Sequence, residues 1–226
     1  MKNYRLHFIR HGLTEANKQG LYVGRSDYEL CVEGMQQLIR LKDEYEYPKV
    51  QVVYSSPLAR CLQTADIIYP DNQLVVEDGL IEMDFGEFEG KSFFDLQSDP
   101  DFIEWLKNSL EGAPRGGESG FDFTNRVINV CDKIFNDMMQ QSLSDVAVVT
   151  HGGVIMTLMA ALGIPKLPFK EWAVGNGMGF TVIMTPQMWM RDHAFEIAGI
   201  MPHGATSTMP EQIHQALGGD EVFEQQ

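Results

Sequence analysis

Residues 145–150 read Asp-Val-Ala-Val-Val-Thr, and His151-Gly152-Gly153 follow at once. So short and nearly unbroken an apolar run is how a strand buried on both faces of a parallel sheet reads. The apolar segment after it, to Leu162, is predicted to be a helix stopped by Gly163 and Pro165. A strand hidden on both sides demands a layer above and a layer below. This one segment therefore excludes a one-faced sheet, a helical bundle and a fibrous chain.

The rest of the chain agrees with that demand. Tyr4–Ile9, Val50–Tyr54 and Leu74–Val76 are rich in β-branched and aromatic residues and are predicted strands. A helix is predicted from Val32 to Tyr45, with Met35, Leu38, Ile39 and Leu41 at helical spacing. A second is predicted to open with Ser56 as N-cap and Pro57 at the first helical position. It would turn Leu58, Cys61, Leu62, Ala65 and Ile68 inward. Short helices are expected at Phe93–Gln97 and Asp101–Leu110, and a long one at Ser119–Gln140. Phe180–Thr185 and Trp189–Ile197 are predicted to form a hairpin turned at Pro186-Gln187. The expected fold is α/β: three layers, a mostly parallel central sheet with helices on both faces. Residues 1–200 are expected to form a single domain with a short helical cap insertion around 86–118. Residues 201–226 read as a Pro/Gly/Gln-rich tail with a short helix at Pro210–Leu217.

The 226 residues carry a formal net charge of −15. Such a surface repels nucleic acids and anionic membranes, and no apolar run approaches the ~20 residues of a membrane span. Three widely spaced cysteines without a C-x-x-C argue against a disulfide framework and a thiolate zinc site, and fit a reducing cytoplasm. An anionic substrate would need a local group of cations working against the global field.

The strand ends supply one. In parallel α/β sheets ligands bind beyond the carboxyl ends of the strands. Arg10-His11 follows the first strand, Ser55–Arg60 the second, and His151-Gly152-Gly153 the doubly buried one. Two arginines and two histidines at one sheet edge suit a phosphoryl group, because guanidinium donors match phosphate oxygens. Free N–H groups at the helix opening on Gly152-Gly153 suit the same anion. A neutral imidazole can attack phosphorus. His7 and His11 are ~13 Å apart on a strand and cannot share a metal ion.

These residues also carry a resemblance. Arg10-His11-Gly12 with Thr14-Glu15-Ala16-Asn17, then Ser55-Ser56-Pro57-Leu58-Ala59-Arg60, then Glu82–Gly90, Gly117-Glu118-Ser119 and Val149–Gly153 resemble, in order, the signatures of the histidine phosphatase superfamily, phosphoglycerate mutase-like branch. Cys31 departs from the Thr or Ser often found there in the family. The resemblance implies that His11 is the nucleophile that becomes phosphohistidine, that Arg10, Arg60 and His151 form the phosphate pocket with Gly152, that Asn17 is an auxiliary phosphate contact, and that Glu82 is the proton donor. It implies no metal and no cofactor.

The expected activity is hydrolysis of a small phosphorylated metabolite. The Gly20–Gly24 loop and the chain length resemble the α-ribazole-phosphate phosphatases of the family. The alternatives are a phosphoglycerate mutase and a non-catalytic phospho-ligand-binding protein. Phe85, Phe88, Phe93, Phe94 and Trp105, with Leu21-Tyr22, would wall an organic leaving group or serve as core. The segment Phe180–Ile197 is expected to offer a sheet edge on which a second copy of the chain can pair as a homodimer.

Overall fold

The computed structural model describes residues 3–205. Their order is β1 (Tyr4–Arg10), α1 (Glu15–Lys18), α2 (Val32–Glu44), β2 (Val52–Ser55), α3 (Ala59–Ile68), β3 (Gln73–Val76), α4 (Phe93–Leu96) and α5 (Pro100–Lys107). There follow α6 (Gly120–Gln141), β4 (Asp145–Thr150), α7 (Gly152–Leu162), β5 (Gly163–Ile164), β6 (Gly179–Met184), α8 (Pro186–Asp192) and β7 (Phe195–Met201). The seven strands form one sheet in the order β3-β2-β4-β1-β6-β7-β5. Only β6 runs against the others, so the sheet is mixed and mostly parallel.

The alternation of side chains along the central strands divides the core in two. Val146, Val148, Leu6, Phe8 and Tyr54 pack on the face covered by α6 and α7, where Val127, Ile134, Phe135, Ile155 and Leu158 meet them. Ala147, Val149, Ile9 and Val53 face α2 and α3, against Leu38, Cys61, Ala65 and Ile68. β4 is buried on both faces, as its apolar run requires. In α2 only Leu38 of the four expected apolar positions is buried; Met35 and Ile39 are exposed.

Two readings of the sequence are corrected. Residues 180–197 are not a hairpin, because α8 stands between β6 and β7. Thr185 caps it, its hydroxyl accepting the Met188 N–H at 3.2 Å, and Pro186 takes the first turn. Trp189 turns inward, its ring 5.7 Å from that of Phe135 and its Nε1 donating to Asp132 at 2.6 Å. Nor is this segment an open edge: β6 lies inside the sheet and β7 is covered by β5, leaving β3 and β5 outermost. Within the expected tail, residues 206–226 lie outside the described residues.

Candidate active site

Register places the site. Arg10 on β1 stands opposite Thr150 on β4, and Ser55 on β2 opposite Val149. The next residues, His11, Ser56 and His151, therefore leave the sheet side by side, with the backbone N–H groups of His11 and Ser56 still donating to Thr150 and Val149. The rings of His11 and His151 lie 5.2 Å apart.

His11 is buried and held in one tautomer. Its Nδ1 donates to the Gly12 carbonyl at 2.7 Å, so Nε2 carries the lone pair and has no hydrogen-bond partner among the described residues. Burial, then the charge of Arg60, push its pKa down to about 3, so the ring is neutral at neutral pH. A Cβ at position 12 would press on the terminal methyl of Leu38, which would have to shift to admit it.

Arg60, in the first turn of α3, is fully buried. Its Nη2 donates to Gly24 O at 2.7 Å, its Nη1 to Ser26 O at 2.8 Å, and its Nε to His151 Nδ1 at 3.3 Å. With Nδ1 accepting, His151 donates through Nε2 to the Ser56 hydroxyl at 2.8 Å. Burial and the neighbouring His11, Arg60 and Arg10 drive the His151 pKa well below its ordinary value. Ser56 is therefore spent on His151; α3 instead begins after Leu58 without a side-chain cap of its own, and Asp27 caps it from a distant loop by accepting the Ala59 N–H at 2.8 Å.

Arg10 lies against Gly152 and donates Nη1 to Val174 O at 2.7 Å; its Nε is buried without a partner. A buried, unpaired guanidinium N–H demands an acceptor. Glu82 is buried beside the same cations. Its Oε2 accepts the Gly153 N–H at 2.8 Å and its Oε1 the Met83 N–H at 3.0 Å. Thus the opening of α7 points Gly153 at Glu82, where the sequence suggested a phosphate. Burial raises the Glu82 pKa, opposed by these two N–H groups and by Arg60 and Arg10. Asn17 closes a capping box with Thr14, its side-chain oxygen accepting the Thr14 N–H at 3.3 Å.

Several contributors escaped sequence reading. The Gly175–Gly179 segment turns and clamps β1: Gly177 N–H donates to Arg10 O, and Asn176 Nδ2 to His11 O at 3.0 Å. Arg126 on α6 donates to the carbonyls of Gly79, Ile81 and Glu82 and pairs with Glu118, fixing the segment that carries Glu82. Of the expected aromatic wall, Phe88 and Trp105 are core and Phe93 and Phe94 are exposed, whereas Tyr22 and Phe85 are half-buried, edge to face at 5.4 Å.

Among the described residues one group has metal-ligand spacing, Glu15, Cys31 and Glu33. The Lys18 ammonium already bridges both carboxylates, and Cys31 Sγ accepts the Gly34 N–H as the cap of α2. No helix among the described residues is long and apolar enough to cross a membrane.

The chain has relatives among known proteins, in sequence and in fold. The chain is 31% identical over 178 residues to the adenosylcobalamin/alpha-ribazole phosphatase of Escherichia coli, covering 76% of this chain and 86% of that one. It is 30% identical over 177 residues to phosphoserine phosphatase 1 of Hydrogenobacter thermophilus, covering 76% and 82%. The crystal structure of the alpha-ribazole phosphatase from Shigella flexneri superposes with a TM-score of 0.70 at 26% identity, covering 85% of this chain and 94% of that one. The family model of the histidine phosphatase superfamily, branch 1, matches residues 6–190, and the chain belongs to that family.

Proposed function

We propose that this enzyme hydrolyses a small phosphomonoester through a phosphohistidine on His11, with Glu82 as general acid and then general base. One observation carries the reading: a neutral imidazole with a free Nε2 stands beside the guanidiniums of Arg10 and Arg60, and Arg10 has a buried N–H without an acceptor.

The substrate phosphate is held by Arg10 and Arg60, with His151 fixed alongside and Asn17 as an outer contact through its free amide nitrogen. The His11 Nε2 lone pair attacks phosphorus in line. The ester P–O bond breaks, its electron pair leaves with the alcohol oxygen, and Glu82 gives that oxygen its proton. Glu82, now a carboxylate, takes a proton from water as the water oxygen attacks phosphorus; the P–N bond breaks and its electrons return to His11.

General acid catalysis contributes ~10²–10⁴-fold. The two guanidiniums supply the positive charge that metal ions supply in other phosphoryl-transfer enzymes. Raising the Glu82 pKa by burial keeps a proton on it where an ordinary carboxylate would have lost it.

The relatives carry the names of phosphatases, which favours water over a second metabolite as acceptor. The half-buried aromatics Tyr22 and Phe85 are the wall assigned to the substrate's organic part. The test is phosphate release from a panel of metabolite phosphomonoesters, phosphoserine and α-ribazole phosphate included, with EDTA present. Turnover that survives the chelator and disappears in His11→Ala supports the reading. Binding without turnover supports a phospho-ligand-binding protein, and interconversion of phosphoglycerates without phosphate release a mutase.

A further inference from the structure

One carboxylate outside the catalytic set gathers an unusual number of donors. Glu89 Oε1 accepts the N–H groups of Gly24 at 2.8 Å, Arg25 at 3.0 Å and Phe85 at 3.3 Å. Its Oε2 accepts the Ser26 N–H at 3.2 Å and the Ser26 hydroxyl at 2.6 Å. One peptide so held, Gly24–Arg25, turns its carbonyl the other way, and Gly24 O receives Nη2 of Arg60; Nη1 goes to Ser26 O, on the residue whose N–H and hydroxyl Glu89 also holds. The next residue, Asp27, caps the helix on which Arg60 sits. Gly24 has no room for a side chain, because Met83 O and the Glu89 carboxylate fill that space.

A guanidinium binds a phosphate through two parallel donors only if its plane is set beforehand. Three of the five N–H groups of Arg60 are used to set it: Nε goes to His151 Nδ1, and the other two go to carbonyls of the short loop Gly24-Arg25-Ser26. Glu89 holds this loop by three backbone N–H groups and the Ser26 hydroxyl, and the Arg25–Asp84 ion pair at 3.3 Å adds one exposed contact. We propose that Glu89 is a positioning residue for phosphate binding: through the Gly24–Ser26 loop it fixes the plane of the Arg60 guanidinium. The proposal rests on the phosphatase reading above and extends it. Because Glu89 lies in the same segment as Glu82, one stretch of chain carries the proton donor and orients a phosphate clamp.

The test is a double-mutant cycle on Glu89→Gln and Arg60→Ala, reading kcat, KM and the inhibition constant of inorganic phosphate with p-nitrophenyl phosphate as substrate. Glutamine keeps the size of the side chain but turns an amide NH₂ toward backbone donors. In the otherwise wild-type enzyme the substitution should raise KM and the phosphate inhibition constant by about tenfold, within the range of coupled pairs. Glu89→Asp should recover part of the loss. In the Arg60→Ala background, Glu89→Gln should cost less than about twofold, since there is no guanidinium left to orient. Equal losses in both backgrounds would show that Glu89 acts by another route and overturn the proposal. Should Glu89→Gln not fold, Ser26→Ala, which removes the shortest contact to the carboxylate, replaces it in the cycle with the same decision rule. A wild-type enzyme that releases no phosphate from any ester overturns the phosphatase reading instead, a result distinct from additive losses in an active one.

Discussion

The carboxylate of Glu82 sits on the first turn of α7, its Oε2 taking the Gly153 N–H at 2.8 Å. Gly153 is the second residue of that helix, and a Cβ there would overlap the carboxyl group. The contact fixes the proposed proton donor by backbone, the least mobile partner available. Gly153→Ala should therefore displace Glu82 while leaving the helix intact, since alanine is the better helix former. The expected result is a fall in kcat of ~10²-fold or more, up to the full worth of the acid, with the melting temperature changed by only a few degrees. An alanine variant with wild-type kcat would show that Glu82 does not need this seat.

The two steps assigned to Glu82 can be separated by choice of leaving group. p-Nitrophenolate leaves without a proton, so the first step no longer requires the acid; the second still requires the base. Glu82→Gln should release one equivalent of nitrophenol per enzyme in a fast burst and then stall with an acid-labile phosphate on His11. On an alkyl phosphate the same variant should lose ~10²–10⁴-fold from the first turnover. Rapid-quench kinetics check both, and equal losses on the two esters would remove the acid role from Glu82.

The places where sequence reading succeeded and failed have physical causes. His11, Arg60 and His151 were legible because each follows a strand whose burial pattern is written locally, and parallel strands put their ends together by geometry. The Ser56-Pro57 pair reads as a helix start and Pro186-Gln187 as a turn, yet α3 opens only after Leu58 and α8 opens at Pro186. The Ser56 hydroxyl was taken by His151, 95 residues away in sequence, and Trp189 found a buried seat against α6. Neither event leaves a local signal. Asn176, Arg126 and Glu89 act on backbone groups far along the chain, so no spacing rule marks them.

Arg126 illustrates such a hidden support. Its guanidinium donates to Gly79 O at 2.9 Å and Ile81 O at 2.8 Å, and holds Glu118 through Nε and Nη2 at 2.9 and 2.8 Å. Arg126→Met keeps much of the stem and removes every donor. Three carbonyls and a mostly buried carboxylate lose their partner at once, which should cost about 2–4 kcal/mol in urea unfolding at pH 7. Activity should fall as well, because the backbone of Glu82 is one of the groups released. A loss below ~1 kcal/mol would mean that water replaces the guanidinium without penalty.

Stability should also fall on the acid side of neutrality, and His7 gives the clearest measure of it. Its ring is buried between β1 and β6, with Nδ1 2.9 Å from the Thr181 hydroxyl and Nε2 buried without a hydrogen bond, 3.7 Å from Asp145. Burial, opposed by the Asp145 carboxylate, lowers its pKa from 6.5 to about 4. The unfolded chain therefore binds a proton below pH 6.5 that the folded chain refuses until about pH 4, so stability is complete above 6.5 and is lost as the pH falls between those values. At 1.36 kcal/mol per unit, His7 alone is worth about 3 kcal/mol across that window. His11 and His151, also buried and held neutral, add in the same direction. Asp145, its own pKa held below the usual carboxylate range by Arg5, contributes only at lower pH. His7→Gln retains a partner for Thr181 and cannot titrate. Urea unfolding at pH 7, 5.5 and 4.5 should give a shallower loss in the variant than in the wild type, by close to one proton in slope at the middle pH. Parallel curves for the two proteins would place the acid sensitivity elsewhere in the molecule.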